Sequence, residues 1–155
     1  KTRSHGLRVV RELLYHPPRG RGTDIGEALT ALRRVQKRKA VAFLLSDFLA
    51  EGYERDLTVA AQRHDLTAIH LVDPRERELP PAGLVELEDA ETGRQVVLDC
   101  GDARVREAYA RQARRRQEDL HRRLRRCGSD VISVDSTASA VDPLQRFFAR
   151  RVRRR

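Results

Sequence analysis

The sequence predicts an α/β fold: a parallel sheet flanked by helices, with an inserted β-hairpin. Three observations predict it. Amphipathic, helix-length stretches alternate with the short apolar runs "AVAFLL" (40–45) and "TAIHLV" (67–72). These runs are continuous rather than alternating, as strands covered on both faces are. Further on, two β-rich segments flank a glycine-containing turn. A helix–strand–helix–strand order argues for parallel strands with helices on the sheet faces.

Each element has its own signal. His5 to Tyr15 place Leu7, Val10, Leu13 and Leu14 at helical spacing, and Pro17 and Pro18 stop that helix. "RGRG" (19–22) is a loop. Thr23 or Asp24 can cap the next helix, with Glu27 placed as in a capping box. That helix presents Ile25, Ala28, Leu29 and Leu32 to the core. A strand follows over 40–45, then a helix over Tyr53–His64 presenting Leu57, Ala60 and Ala61, then a strand over 67–72 ending at Asp73-Pro74. "LVELE" (84–88) and "RQVVLD" (94–99) around "DAETG" (89–93) read as the hairpin. Asp102 caps a long helix that ends at Cys127 with Gly128 beyond it. Its apolar stripe is narrow (Val105, Tyr109, Ala113, Leu120, Leu124), and its other faces are crowded with arginine. "VISV" (131–134) is the last strand. Asp142-Pro143 starts a final helix with Leu144, Phe147 and Phe148 facing in. No internal repeat or linker divides the chain, so residues 1–155 read as one domain.

Composition narrows the functional classes. The 155 residues carry a formal net charge of +9, and 35% are charged. All the basic residues but Lys1, Lys37 and Lys39 are arginines. Such an excess can mark a nucleic-acid or anionic-membrane partner. It is also what a GC-rich coding bias produces, and here it is scattered over several segments. Cys100 and Cys127 have no CxxC or Cys/His spacing, so no zinc site is implied. A reducing, cytoplasmic setting is the default. No apolar run approaches the roughly 20 residues that span a bilayer. Methionine is absent and the first residue is Lys1, so the chain is expected to be a fragment truncated at its N-terminus.

In parallel α/β sheets, ligands sit beyond the carboxyl ends of the strands. Three expected strands end in an acid: Ser46-Asp47, Asp73 and Asp135. Thr23 and Asp24 lie in a loop entering a helix. Oxygen ligands of this kind suit a hard cation such as Mg²⁺. Each acid also has a plainer use, since Asp after a strand is a common turn or cap residue.

"GTDIGEAL" followed by an apolar strand and "SDF" (46–48) resembles the von Willebrand factor A-like fold, a Rossmann-like sheet. Those domains hold a divalent cation at a metal-ion-dependent adhesion site. Its ligands come from an Asp-x-Ser-x-Ser loop, a Thr and a later Asp. Thr23 matches the Thr and Asp47 the last Asp. More narrowly, "SDF", "RHDLTAIHLVDPRERELPPAG" (63–83), "DAETG", the Arg-rich helix and "FFARR" (147–151) resemble the bacterial domain-of-unknown-function 58 family. The family's Asp-x-Ser-x-Ser strand is absent. "DSTAS" (Asp135, Thr137, Ser139) has similar chemistry but follows the last strand. The resemblance thus implies a partial von Willebrand A-like domain with an incomplete site of Thr23 and Asp47, flanked by Asp24, Ser46 and Asp73, binding Mg²⁺ weakly or not at all. It implies no catalytic residues. It implies a protein-interaction module acting with a MoxR-type AAA+ ATPase in protein assembly or maturation. Full-length relatives often carry N-terminal membrane segments, so membrane contact is expected only through segments this chain lacks.

Two rival readings stand beside this one. A Mg²⁺-dependent nuclease or phosphatase would use Asp47, Asp73 and Asp135, but there is no nucleophile elbow or phosphate-binding glycine loop. His70 lies in a buried strand and reads as a core histidine; His5, His16 and His121 stand isolated. Nucleic-acid binding would use the Arg-rich helix and the "RRVRRR" tail. Aromatics are 5% and none is interleaved with the arginines as a stacking platform would be. Missing central strands would leave an open sheet edge, which invites a homodimer or strand exchange.

Overall fold

A computed structural model describes residues 3–15, 22–88 and 95–152. The expected loop at 19–22 (all but Gly22), the expected turn at 89–93 and the last three arginines lie outside the described residues, as do His16, Pro17 and Pro18. In chain order the elements are α1 (Arg3–Tyr15), α2 (Ile25–Val35), β1 (Val41–Ser46), α3 (Glu54–Arg63), β2 (Asp65–Val72), β3 (Leu84–Glu88), β4 (Gln95–Asp99), α4 (Ala103–Arg126), β5 (Asp130–Asp135) and α5 (Val141–Val152). Strands β1, β2 and β5 form a parallel sheet in the order β1-β2-β5. β3 and β4 pair with each other as a separate antiparallel hairpin. The α/β class, the parallel sheet flanked by helices and the inserted hairpin are as the sequence predicts.

Local chemistry accounts for the helix ends. Asp24, not Thr23, is the N-cap of α2: its carboxylate accepts the Glu27 N–H at 2.7 Å. Asp102 accepts the Arg104 N–H at 2.8 Å to start α4. At the other end Gly128 takes φ +88°, and the Ser129 N–H reaches back to the Leu124 carbonyl. A side chain resists that backbone, so glycine ends the helix there.

The sheet has two unlike faces. Alternate residues Ala42 and Leu44, Leu66 and Ala68, and Val131 point to one face. There they join Ile25 and Leu29 of α2, Leu57 and Ala60 of α3, and Leu120 and Leu124 of α4 in the main core. Residues in between point to the other face. Ile69, Ile132 and Val134 meet Leu144 and Phe147 of α5 in a second, smaller cluster. Arg151 fastens the end of α5 to this face, with ion pairs to Asp65 and, at 3.7 Å, Asp130.

Four expectations about burial are corrected. β2 is buried almost throughout, but β1 is covered on one face only: Val41 (56%), Phe43 (43%) and Leu45 (59%) remain exposed. Its apolar run is continuous, yet α5 lies over β2 and β5 rather than over β1. Phe148 is half-exposed, touching Phe43 edge-on rather than entering the core. Ala28 sits on the solvent side of α2. On α1, the apolar residues Leu7, Val10 and Leu14 are exposed. Cys100 and Cys127 are buried free thiols. No helix among the described residues is long and apolar enough to cross a membrane.

Candidate functional site

The parallel register puts the carboxyl ends of all three strands on one edge, with Ser46 beside His70 and His70 beside Ser133. Beyond that edge lies a groove of about 1140 Å³ between the strand-end loops and α4. The loop after β1 makes one wall. Phe48 there has φ +58°, a left-handed backbone that a bulky residue rarely adopts. Its ring accounts for this, being 3% exposed and packed against Tyr53 (5.9 Å) and His70 (6.1 Å). The Phe48 N–H donates to Ser46 Oγ (3.0 Å) and the Leu49 N–H to Asp47 Oδ1 (3.2 Å). The chain therefore turns sharply, and Asp47 lines the groove while Leu49 stands 67% exposed on its lip.

The other wall is one stripe of α4. Tyr109, Ala113, Arg116, Leu120 and Arg123 recur at helical spacing and line the groove. At its base His70 Nδ1 lies 3.1 Å from His121 Nε2, and Ser133 Oγ lies 3.2 Å from the same nitrogen. Gln117 donates to Ser133 Oγ at 3.4 Å. Ser133 Oγ and His70 Nδ1 thus meet at the same His121 nitrogen, with the donor in each contact set by the ring tautomers. Burial, then the charges of His121 and Arg77, push His70 down to about 4. Burial, then Arg125 and Arg77, also lower His121. Both rings are neutral near pH 7 and serve as a polar joint between β2 and α4. The reading of His70 as a core histidine holds. His121 is not isolated: it is the partner of His70, 51 residues away.

The remaining candidates divide. Asp73 accepts the Arg75 N–H at 2.9 Å and caps a single 3-10 turn, the plainer use of an Asp-Pro step. Asp135 accepts both the hydroxyl (2.7 Å) and the N–H (2.9 Å) of Thr137, bonds that hold its carboxyl below the usual range. "DSTAS" is thus a self-satisfied turn on β5, the strand separated from β1 by β2. Thr23 and Asp24 precede α2, whose first turn lies against that of α3. A β-carbon at Gly26 would come 3.4 Å from Asp56 Oδ2. Because α3 starts just after the β1 loop, this puts Thr23 and Asp24 at the same end of the sheet as Asp47, though neither lines the groove. Among the described residues, no group of three or more His, Cys, Asp and Glu is placed to hold a metal ion. Asp47, Asp73 and Asp135 are therefore not part of such a metal-holding group. Asp47 and Thr23 alone do not make a self-sufficient Mg²⁺ site, since that ion takes six oxygens.

Comparison with known proteins gives the following. The family model described as "Protein of unknown function DUF58" matches residues 1–119. "Uncharacterized protein Rv1480" of Mycobacterium tuberculosis is 36% identical over 155 residues, covering 97% of this chain and 48% of that protein. "Uncharacterized protein MAV169" of Mycobacterium avium is 36% identical over 150 residues, covering 95% of this chain and 86% of that protein. The chain thus spans about half the length of several curated relatives it matches. The crystal structure of conserved hypothetical protein BatB from Bacteroides thetaiotaomicron matches with a TM-score of 0.48 at 17% identity, over 94% of this chain and 69% of that one.

Proposed function

The chain belongs to the family described as protein of unknown function DUF58, and on that premise we propose that it is a non-enzymatic protein-binding domain. The partner docks in the groove beyond the carboxyl ends of β1 and β2. One observation carries this reading: the left-handed turn at Phe48 sets the carboxylate of Asp47 and the side chain of Leu49 on the lip of a large groove with an apolar floor. A rigid loop offering one charge and one apolar side chain is what recognition of a protein surface uses. The likeness of Thr23 and Asp47 to a von Willebrand A-like site supports the same end of the sheet as the binding end.

The partner in this reading is a MoxR-type AAA+ ATPase in the cytoplasm, and the work is assembly or maturation of other proteins. Mg²⁺ has at most an auxiliary part, because two protein oxygens hold it weakly. A second copy of the chain is a further partner, through the bare edge and the exposed Val41, Phe43 and Leu45 of β1.

The test is co-elution of the purified chain with a MoxR-type ATPase encoded beside it, in Mg²⁺. Wild type is expected to co-elute and Asp47→Ala to be retained more weakly. If wild type fails to bind while a longer DUF58 protein does, this chain is not the binding unit.

A further inference from the structure

The groove's charges are arranged unevenly. Five arginines line it, yet two are engaged: Arg122 pairs with Asp119, and Arg123 lies 3.4 Å from Glu54. Arg77, Arg116 and Arg126 make no ion pair among the described residues. Arg77 goes further, since its Nε is buried with no hydrogen-bond partner. Between the cations the floor is apolar, with Phe48 and Val72 each 3% exposed and Leu120 6% exposed. The opposite wall carries Asp47 and Glu51, and Glu76 lies beside Arg77 in the lining.

That pattern discriminates between anionic ligands. A guanidinium recognises a carboxylate through paired, charge-assisted hydrogen bonds. A uniformly charged polyanion, such as a nucleic-acid strand or an anionic bilayer, would meet repulsion from Asp47 and Glu51. It would also leave the apolar floor unused. A peptide can set its acids along the arginines, keep them away from Asp47 and Glu51, and place apolar side chains on the floor.

We propose that the groove receives an acidic, apolar-studded peptide segment of the partner protein, its carboxylates meeting Arg77, Arg116 and Arg126 and a bulky apolar side chain seated on Phe48, Val72 and Leu120. No metal takes part. This rests on the groove being the docking site and adds the chemistry of what docks there.

The experiment is fluorescence polarisation in EDTA, at roughly physiological ionic strength. The probe is a short labelled peptide alternating Glu with Leu and Phe. Its competitors are the same peptide with Gln for Glu, a single-stranded oligonucleotide and phosphatidylglycerol vesicles. The Glu peptide is expected to bind at least about tenfold more tightly than the Gln peptide, and Arg116→Glu with Arg126→Glu to remove about that much. Both arginines are exposed, so the double variant keeps its core. Arg115→Glu, an exposed α4 arginine outside the groove, controls for net charge and is expected to leave binding within about twofold. Equal binding of the Glu and Gln peptides overturns the proposal. So does an oligonucleotide or vesicle that displaces the peptide at this salt, or an equal loss with Arg115→Glu. The two readings fail separately. If the ATPase co-elutes as well with the double variant as with wild type, docking stands and the acidic segment falls. If the peptide binds as described and no ATPase co-elutes, the acidic segment stands and the ATPase falls.

Discussion

The two faces of the parallel sheet are built from the same three strands, one residue out of step, and they differ in almost everything else. On one face, Ala42, Leu44, Leu66 and Ala68 lie beneath α2, α3 and α4 in a single continuous core. On the other, α5 covers β2 and β5 through Leu144 and Phe147, while Val41 and Leu45 of β1 stay exposed and Phe43 meets only the edge of Phe148. Three helices seal the first face and position the groove; one helix leaves the second unfinished. An apolar strand sequence reports only that the side chains could be buried. What covers them is decided by elements far away in the chain.

Leu57 is 0% exposed and sits in the closed core, so Leu57→Ala is expected to lower unfolding free energy by about 3–4 kcal/mol in urea titration. A cost below about 1 kcal/mol would show that the closed face is not closed.

Next comes the polar joint on the same face. His70 has a folded value of about 4 against an ordinary 6.5. The unfolded chain therefore binds the proton first as pH falls. The stabilisation is complete above about pH 6.5 and is lost progressively between there and about pH 4. The expected loss is on the order of 2 kcal/mol once solvent at the groove is allowed for. It is read as a falling urea midpoint on acidification, and His70→Gln should flatten that slope. An unchanged slope would assign the acid sensitivity elsewhere.

A smaller effect belongs to the cap of α2. Asp24→Ala removes the acceptor of the Glu27 N–H and is expected to cost about 1 kcal/mol, measured by thermal melting. The smallest stability change is reserved for the open face. Val41→Thr with Leu45→Thr is expected to change monomer stability by less than about 1 kcal/mol. The same pair should shift light scattering from dimer towards monomer, because the bare strand is then less apolar. Wild type that scatters as a clean monomer at high concentration would remove the dimer altogether.

The sequence carried more of the fold than of the site. The helices and strands fall within about two residues of where periodicity, caps and glycine stops put them, because those signals are local. Asp102 and Gly128 bracket α4 through hydrogen bonds within a few residues of each. The half-exposure of β1 was not legible, since a run such as "AVAFLL" reads alike whether one face is covered or two. The site was legible in part. Asp47 reaches the groove because strands end in register, which the alternation of elements implies. Asp73 and Asp135 are spent on their own turns, and their sequence contexts, Asp-Pro and Asp-Ser-Thr, already offered that use. The His70–His121 pair left only a faint trace: a histidine in a buried strand, and another adjoining Leu120 on the buried stripe of α4. Their meeting depends on α4 crossing β2, which no spacing encodes. Arg116 and Arg126 of the groove were equally hidden, because the ten arginines of α4 look alike until a neighbour claims some of them.

The turn at Phe48 has a consequence for how the rim behaves. A backbone held at φ +58° by the seating of its own ring is a latch, closed only while the aromatic stays wedged in place. Tyr53 and His70 are the two rings that hold it there, so the placement of Asp47 and Leu49 at the groove rests on that packing. The rim and the interior are therefore one packing unit, tied together through the ring of Phe48.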